Sequence, residues 1–114
     1  MPTIEALALA KAAGKALESK KGEDVVILDV RGLSSITDYY VIATGKNPPH
    51  IKALISEVER ELTQAGVRRY RHSGTPESRW VVADYLDAVI HIFSPETRSY
   101  YALERLWSDA KRVG

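Results

Sequence analysis

Three aspartates, Asp29, Asp84 and Asp87, stand on or beside predicted strands of this chain. Strand carboxylates that converge can hold Mg²⁺ for phosphoryl or nucleotidyl transfer. Such a site also needs a loop that grips phosphate, and the segment Gly32-Leu33-Ser34-Ser35 lacks the glycine spacing of one. A nucleotide-handling transferase that uses these carboxylates is therefore the best enzyme hypothesis, but it is an alternative and not the leading interpretation.

Other catalytic chemistries find less support in the sequence. The chain has no cysteine, no glycine-rich dinucleotide or phosphate loop and no Gly-x-Ser-x-Gly elbow around a serine. Its three histidines, His50, His72 and His91, are far apart, so no pair has the spacing of two metal ligands on one helix face. His91 alternates with isoleucines, which favours a structural histidine at the edge of the core over a catalytic base. We predict no catalytic residue, no metal and no cofactor.

A basic stretch in the second half of the chain could grip nucleic acid. Basic residues interleaved with an aromatic can bind phosphates and stack a base. Arginines on an edge strand also discourage association between sheets, and this second interpretation is favoured. Direct RNA binding is therefore a third hypothesis, carried by Arg68, Arg69, Arg71 and His72, with Tyr70 between them and Arg79 nearby.

Trp80 is the most informative aromatic residue. Strand alternation places Trp80, Val82 and Asp84 on one face and the apolar residues between them on the other, so both faces of this strand are apolar. One face must cover the core, and the other needs a helix or a partner. A tryptophan beside carboxylates is typical of an interaction hot spot, although a strand tryptophan can equally belong to the core. The pattern alone leaves both interpretations open.

The elements that must position these residues follow the order α, β, β, α, β, β, β, α. This order predicts an α/β fold: a mixed five-stranded sheet with flanking helices in a single domain over residues 1–114. The last two strands are so close that they must form an antiparallel hairpin. The predicted helices cover residues 4–20, 47–66 and 94–110, and the predicted strands cover 25–30, 39–44, 67–70, 80–85 and 88–93, with a loop at 73–76.

The amino-acid composition limits where this protein is expected to be located and which partners it is expected to bind. With 45% hydrophobic and 27% charged residues, the 114-residue chain has the composition of an ordinary globular domain. The longest run free of charged side chains, residues 88–95, is too short for a membrane helix, and the N-terminal residues do not form a signal peptide. The net charge of +1 does not favour a polyanionic partner. We expect a cytoplasmic protein without membrane or specific nucleic-acid binding.

Two sequence blocks carry a family resemblance. The first is Asp-Val-Arg-Gly-Leu-Ser-Ser-Ile-Thr-Asp-Tyr-Tyr-Val-Ile-Ala-Thr-Gly at residues 29–45, and the second is Arg-Trp-Val-Val-Ala-Asp-Tyr at 79–85. His91 and the segment Leu103–Trp107 follow in order. The chain resembles the ribosomal silencing factor, or Iojap-like, family along nearly its whole length.

The resemblance implies a fold related to nucleotidyltransferases but without their catalytic residues. It also implies a function: an anti-association factor that binds the large ribosomal subunit at its intersubunit face, through large-subunit ribosomal protein fourteen. The bound factor would sterically block joining of the small subunit and repress translation under nutrient limitation. The partner-binding surface of the family includes the strand matched here by residues 80–84, so the resemblance assigns partner binding to Trp80, Val82, Asp84 and Asp87.

Two segments depart from the family pattern. Family members usually have glycine before the second aspartate of the hairpin, whereas this chain has Leu86 before Asp87. The segment Pro48-Pro49-His50 replaces small polar residues and should stiffen the start of a helix.

A face built to meet a partner leaves apolar surface exposed, so we also expect the free protein to form a homodimer through that face.

Overall fold

The fold centres on a mixed sheet, seen in a computed structural model that describes residues 5–32, 37–67, 71–96 and 111–113. The elements are α1 (Ala6–Ser19), β1 (Glu23–Asp29), β2 (Tyr39–Thr44), α2 (Pro48–Gln64), β3 (Arg71–Thr75), β4 (Trp80–Asp84), β5 (Ala88–Phe93) and β6 (Lys111–Val113). The sheet order is β3-β4-β5-β2-β1-β6, and every neighbouring pair is antiparallel except β2 with β5. A short 3₁₀ turn, Pro76–Ser78, joins β3 to β4.

The parallel pair β2 and β5 forms the middle of the sheet. All six residues of each strand are buried, which is typical of strands covered on both faces of a sheet. A parallel pair needs a long crossover, and the chain between these strands contains α2 and the β3–β4 pair. The predicted mixed sheet and the β4–β5 hairpin are confirmed, although the observed sheet has six strands, one more than predicted.

Helices α1 and α2 pack on the same face of the sheet, which we call the helix face. Their buried residues form one cluster with alternate residues of β2, β4 and β5. Neither of these two helices is long and apolar enough to cross a membrane. The fully buried large side chains of this cluster are Leu9, Leu17, Tyr39, Val41, Ile51, Leu54, Leu62, Ile90 and Ile92.

The segment Pro48-Pro49-His50 builds the predicted start of α2. The Asn47 side chain accepts a hydrogen bond from the His50 backbone N–H at 2.9 Å, and proline occupies the first helical turn. The His50 ring accepts from the Lys46 N–H at Nδ1, so its Nε2 carries the proton and donates to the Lys20 carbonyl at 2.9 Å. This ring therefore ties the end of α1 to the start of α2.

The third strand lies later than the sequence predicted. Val67 is not in a strand, residues 68–70 lie outside the described residues, and β3 instead covers Arg71–Thr75, including part of the predicted loop. All five residues of β3 are exposed, so hydrophobic alternation could not mark this edge strand. Gly74 adopts a positive φ of 79°, and a Cβ there would collide with the Trp80 carbonyl oxygen.

Both ends of the chain also differ from the prediction. Helix α1 begins at Ala6 after Glu5, whose side chain makes no capping bond, whereas the sequence predicted a helix from residue 4, which lies outside the described residues. A sixth strand, β6, which the sequence did not predict, pairs antiparallel with β1. Residues 97–110, most of the predicted last helix, lie outside the described residues.

The β4–β5 turn forces Leu86 into a conformation that suits glycine. Leu86 has a φ of +70° at the first position of the two-residue turn, which Tyr85 and Ala88 close with a 2.9 Å hydrogen bond. The Tyr85 carbonyl also accepts from the Asp87 N–H at 2.8 Å. A side chain in this left-handed region crowds the following carbonyl at a cost of about 1 kcal/mol.

We predict that Leu86→Gly raises the free energy of unfolding by about 1 kcal/mol, because glycine removes this crowding while the turn keeps its backbone hydrogen bonds. Denaturant unfolding of the variant beside the unchanged protein measures the difference. A variant that unfolds more easily would show instead that the Leu86 side chain packs within the fold.

Candidate partner-binding face

The sheet face opposite α1 and α2, which we call the strand face, carries a second apolar cluster. Its buried members come from β1, β2 and β5 or directly follow β1, and neither α1 nor α2 contributes a residue to it. Two partly exposed residues of β4, Trp80 and Val82, pack against its edge. The buried members are Val26, Leu28, Val30, Tyr40, Ile42, Val89 and Phe93.

The register of β4 brings three of the four predicted partner-binding residues onto the strand face. Trp80 lies opposite Phe93, Val82 opposite His91, and Asp84 opposite Val89. All three predicted residues are partly exposed, whereas the residues between them are buried on the helix face. Asp87 is exposed in the turn beyond β4 and so lies beside this row, not in it.

Neighbouring aromatic side chains fix the orientation of the Trp80 indole. The indole Nε1–H donates to His91 Nδ1 at 3.2 Å, and the centroid of the indole ring lies 5.1 Å from that of the Phe93 ring. The His91 ring in turn lies 5.4 Å from the Tyr40 ring and 5.7 Å from the Phe93 ring. Trp80 therefore combines the two roles that the sequence left open: one part of its side chain packs on the sheet and another part remains accessible.

Burial keeps His91 neutral. Its removal from water lowers the pKa of this imidazole from 6.5 to about 4. Because Nδ1 accepts the indole N–H, the proton of the neutral ring resides on Nε2. His91 thus has the structural position that its alternation with isoleucines predicted, and it accepts a hydrogen bond that orients the Trp80 indole.

A groove of about 300 Å³ runs beside the Trp80 indole. The hydroxyl of Ser78 in its wall accepts from the Thr75 N–H at 3.1 Å and lies 2.7 Å from the Thr75 carbonyl, so the backbone satisfies it. Gly74 lies against the Trp80 backbone, where a Cβ would collide with the Trp80 carbonyl oxygen. Sequence reasoning missed these residues, although the Thr75-to-Ser78 spacing is that of a capping box. The groove is lined by Ser73, Gly74, Ser78, Trp80 and Val82.

The carboxylates of the alternative transferase hypothesis do not converge. Asp29 lies on the helix face of β1, where its carboxylate binds the Arg31 guanidinium at 2.8 Å and 3.0 Å. Asp84 lies on the opposite face, and the two intervening strands separate it from Asp29 by about 14 Å across the sheet. Within the described ranges, no three histidine, aspartate or glutamate side chains form a group that could hold a metal ion.

Comparison with known proteins decides the family. The family model described as ribosomal silencing factor during starvation matches residues 3–114. The ribosomal silencing factor RsfS of Bacillus subtilis is 37% identical over 100 residues, which span 88% of this chain and 85% of that protein. The chain belongs to the ribosomal silencing factor family. A crystal structure of a Chromobacterium violaceum protein superposes with a TM-score of 0.88 at 38% identity, covering 92% of this chain and 88% of that one.

More distant relatives extend this family beyond bacteria. The chloroplastic protein Iojap of Zea mays is 30% identical over 118 residues, and a Mus musculus protein named mitochondrial assembly of ribosomal large subunit protein 1 is 28% identical over 103. The chain spans about half of these two longer proteins, 51% and 42% respectively. The resemblance to Iojap is therefore confirmed, and the family name describes a regulatory factor acting on ribosomes.

In this ribosomal silencing factor family member, the described part of the basic stretch lies at the sheet edge. Arg71 and His72 are exposed on β3, with Arg71 directly opposite Asp84, and Arg79 is exposed just before β4. Residues 68–70 lie outside the described residues. The positions of Arg71 and His72 match the edge-strand interpretation of the sequence.

The buried neutral His91 predicts a loss of stability in mild acid. Below pH 6.5 the unfolded chain protonates this histidine, whereas the folded chain does not until about pH 4. The unfolded state therefore binds more protons in this window, and the free energy of unfolding falls as the pH is lowered. Between pH 7 and pH 5, we expect His91 to account for a decrease of about 2 kcal/mol.

Denaturant unfolding of the unchanged protein and of His91→Gln at both pH values isolates this contribution. Glutamine can still accept the Trp80 N–H but does not titrate. The ion-paired Glu57, whose pKa the Arg60 guanidinium lowers from 4.5, titrates below this window. Equal pH dependence in the two proteins would contradict the prediction.

Proposed function

We propose that this chain is an anti-association factor. It binds the large ribosomal subunit at its intersubunit face, through large-subunit ribosomal protein fourteen, and the bound factor blocks joining of the small subunit. Translation is thereby repressed under nutrient limitation. In this proposal the chain acts in the cytoplasm as one silencing-factor domain over residues 1–114.

The observation that carries the proposal is the accessible, prearranged Trp80 on an apolar strand face. Its bond to His91 and its packing on Phe93 fix the indole before a partner arrives, so less conformational entropy is lost on binding. Tryptophan is also one of the residue types that are enriched among interface hot spots. Membership of a family named for ribosomal silencing supplies the identity of the partner assembly.

The neighbours of Trp80 give the proposed contact both shape and charge. Val82 continues the apolar surface, and the groove beside the indole has the size to receive an aliphatic side chain of the partner. The Asp84 carboxylate accepts the Leu86 N–H at 2.8 Å, which fixes its direction, and Asp87 adds a second exposed carboxylate. Two carboxylates at this end of β4 suit a basic partner surface.

The proposed mechanism is steric and needs no reacting group. A body with extents of 37 × 32 × 23 Å, bound at a surface where two subunits must meet closely, holds them apart. The mouse relative supports the choice of subunit, because its name refers to assembly of the large ribosomal subunit. A fold relationship to nucleotidyltransferases is part of the same proposal and rests on the family resemblance, since the transferase carboxylates are not brought together.

We predict that Trp80→Ala weakens binding to purified large subunits by about 30-fold, the effect of losing a hot spot worth about 2 kcal/mol. It should also lower the free energy of unfolding, because the indole packs on Phe93. Co-sedimentation, corrected for the folded fraction from thermal unfolding, separates the two effects.

Val81→Ala is the matched control for this experiment. Val81 is fully buried on the helix face of the same strand, so its truncation destabilises the fold without altering the strand face. Normal binding by the folded fraction of Trp80→Ala would remove Trp80 from the partner surface. A Val81→Ala protein that binds as weakly would show that stability alone controls binding.

We predict that the free protein forms a homodimer through the strand face and that large subunits compete with this dimer. A two-fold contact would cover the accessible parts of Trp80 and Val82 on both copies. Analytical ultracentrifugation at rising concentration, with and without large subunits, measures both equilibria. A dimer that binds the large subunit intact would contradict the prediction.

A further inference from the structure

Leu86 combines two unfavourable features in one residue. This residue is 53% exposed, more than any other large hydrophobic residue in the described ranges, and its backbone has a φ of +70°. Glycine at this position would avoid both the exposure of apolar surface and the crowding of the left-handed conformation.

The turn does not need the leucine side chain. Three hydrogen bonds of the Leu86 turn use backbone N–H groups: Tyr85 N–H to the Ala88 carbonyl, Asp87 N–H to the Tyr85 carbonyl, and Leu86 N–H to Asp84 Oδ1. A glycine would retain each of them. Strained positions that the fold does not require are found at binding sites, so the leucine points to a contact outside the chain.

The position of Leu86 continues the proposed contact surface. It follows β4 by two residues and lies about 20 Å along the chain direction from Trp80. This length fits within a standard protein interface, which buries about 800 Å² on each partner. Asp84 precedes the leucine by two residues and Asp87 follows it directly, so two carboxylates lie close to it in sequence.

We propose that Leu86 contacts the same large-subunit protein that the strand face binds. On that protein, the leucine side chain inserts into an apolar patch that is bordered by basic groups. The inference rests on the proposed function. An apolar side chain makes no favourable contact with a charged phosphate backbone, so the surface that receives Leu86 is protein and not ribosomal RNA. The flanking carboxylates meet the basic border and set the orientation of the turn.

Two variants of Leu86 and one control test this proposal by titration against purified large subunits. Leu86→Gly should bind at least tenfold more weakly, although it folds at least as stably as the unchanged protein. Leu86→Met keeps an apolar side chain of similar volume and should bind within threefold of the unchanged protein. Leu7→Ala truncates the second exposed large hydrophobic residue of the described ranges, which is 36% exposed on α1, and should not change binding.

Each outcome of the titration has a distinct meaning. If the unchanged protein binds large subunits and Leu86→Gly binds equally well, the Leu86 contact is overturned while the proposed function stands. If the unchanged protein fails to bind, the proposed function itself is overturned. If Leu86→Gly loses self-association but keeps subunit binding, the leucine contacts a second copy of this chain, and the contact proposed here is also overturned.

Discussion

The parallel pairing of β2 with β5 is the constraint on which the rest of the structure depends. Both strands are buried along their whole length, so apolar side chains project from both faces of the sheet centre. Helices α1 and α2 occupy one of these faces. The other face must therefore also be apolar, and this requirement gives the molecule a second hydrophobic surface whose edge reaches β4.

The antiparallel register between β5 and β4 converts this second surface into a candidate binding site. Because Val82 lies opposite His91 and Trp80 opposite Phe93, the indole lies over aromatic side chains that belong to the sheet. His91 is too buried to hold a charge at neutral pH, and as a neutral ring it can accept the indole N–H. One buried histidine thus links the core of the sheet to the orientation of an accessible tryptophan.

The polar residues of the candidate site depend on local geometry more than on the core. Asp84 is held by the backbone of the turn that follows it, and Ser78 is satisfied by the backbone of its own 3₁₀ turn. These bonds leave Trp80 and Val82 as the main apolar features of the groove, with carboxylates at the other end of β4. Such an arrangement suits recognition of a protein surface, whereas the separation of Asp29 from Asp84 does not suit metal-assisted transfer.

The sequence by itself determined the elements with strong periodicity or strong end signals. The continuous apolar runs of β2 and β5, and the Asn47-Pro48 start of α2, could be identified because burial and capping restrict which residues are allowed. Alternation along β4 also placed Trp80, Val82 and Asp84 on one face. The family resemblance, carried by contiguous residues, was likewise a property of the sequence alone.

Tertiary structure decided the features that depend on neighbours distant along the chain. Strand β3 is exposed throughout and β6 has only three residues, so both are defined by their pairing partners and not by hydrophobic pattern. The bond from Trp80 to His91 spans 11 positions and required the β4–β5 register, so alternation could not decide between core and surface. Residue types record local preferences, whereas the accessible part of a side chain depends on what the folded chain brings against it.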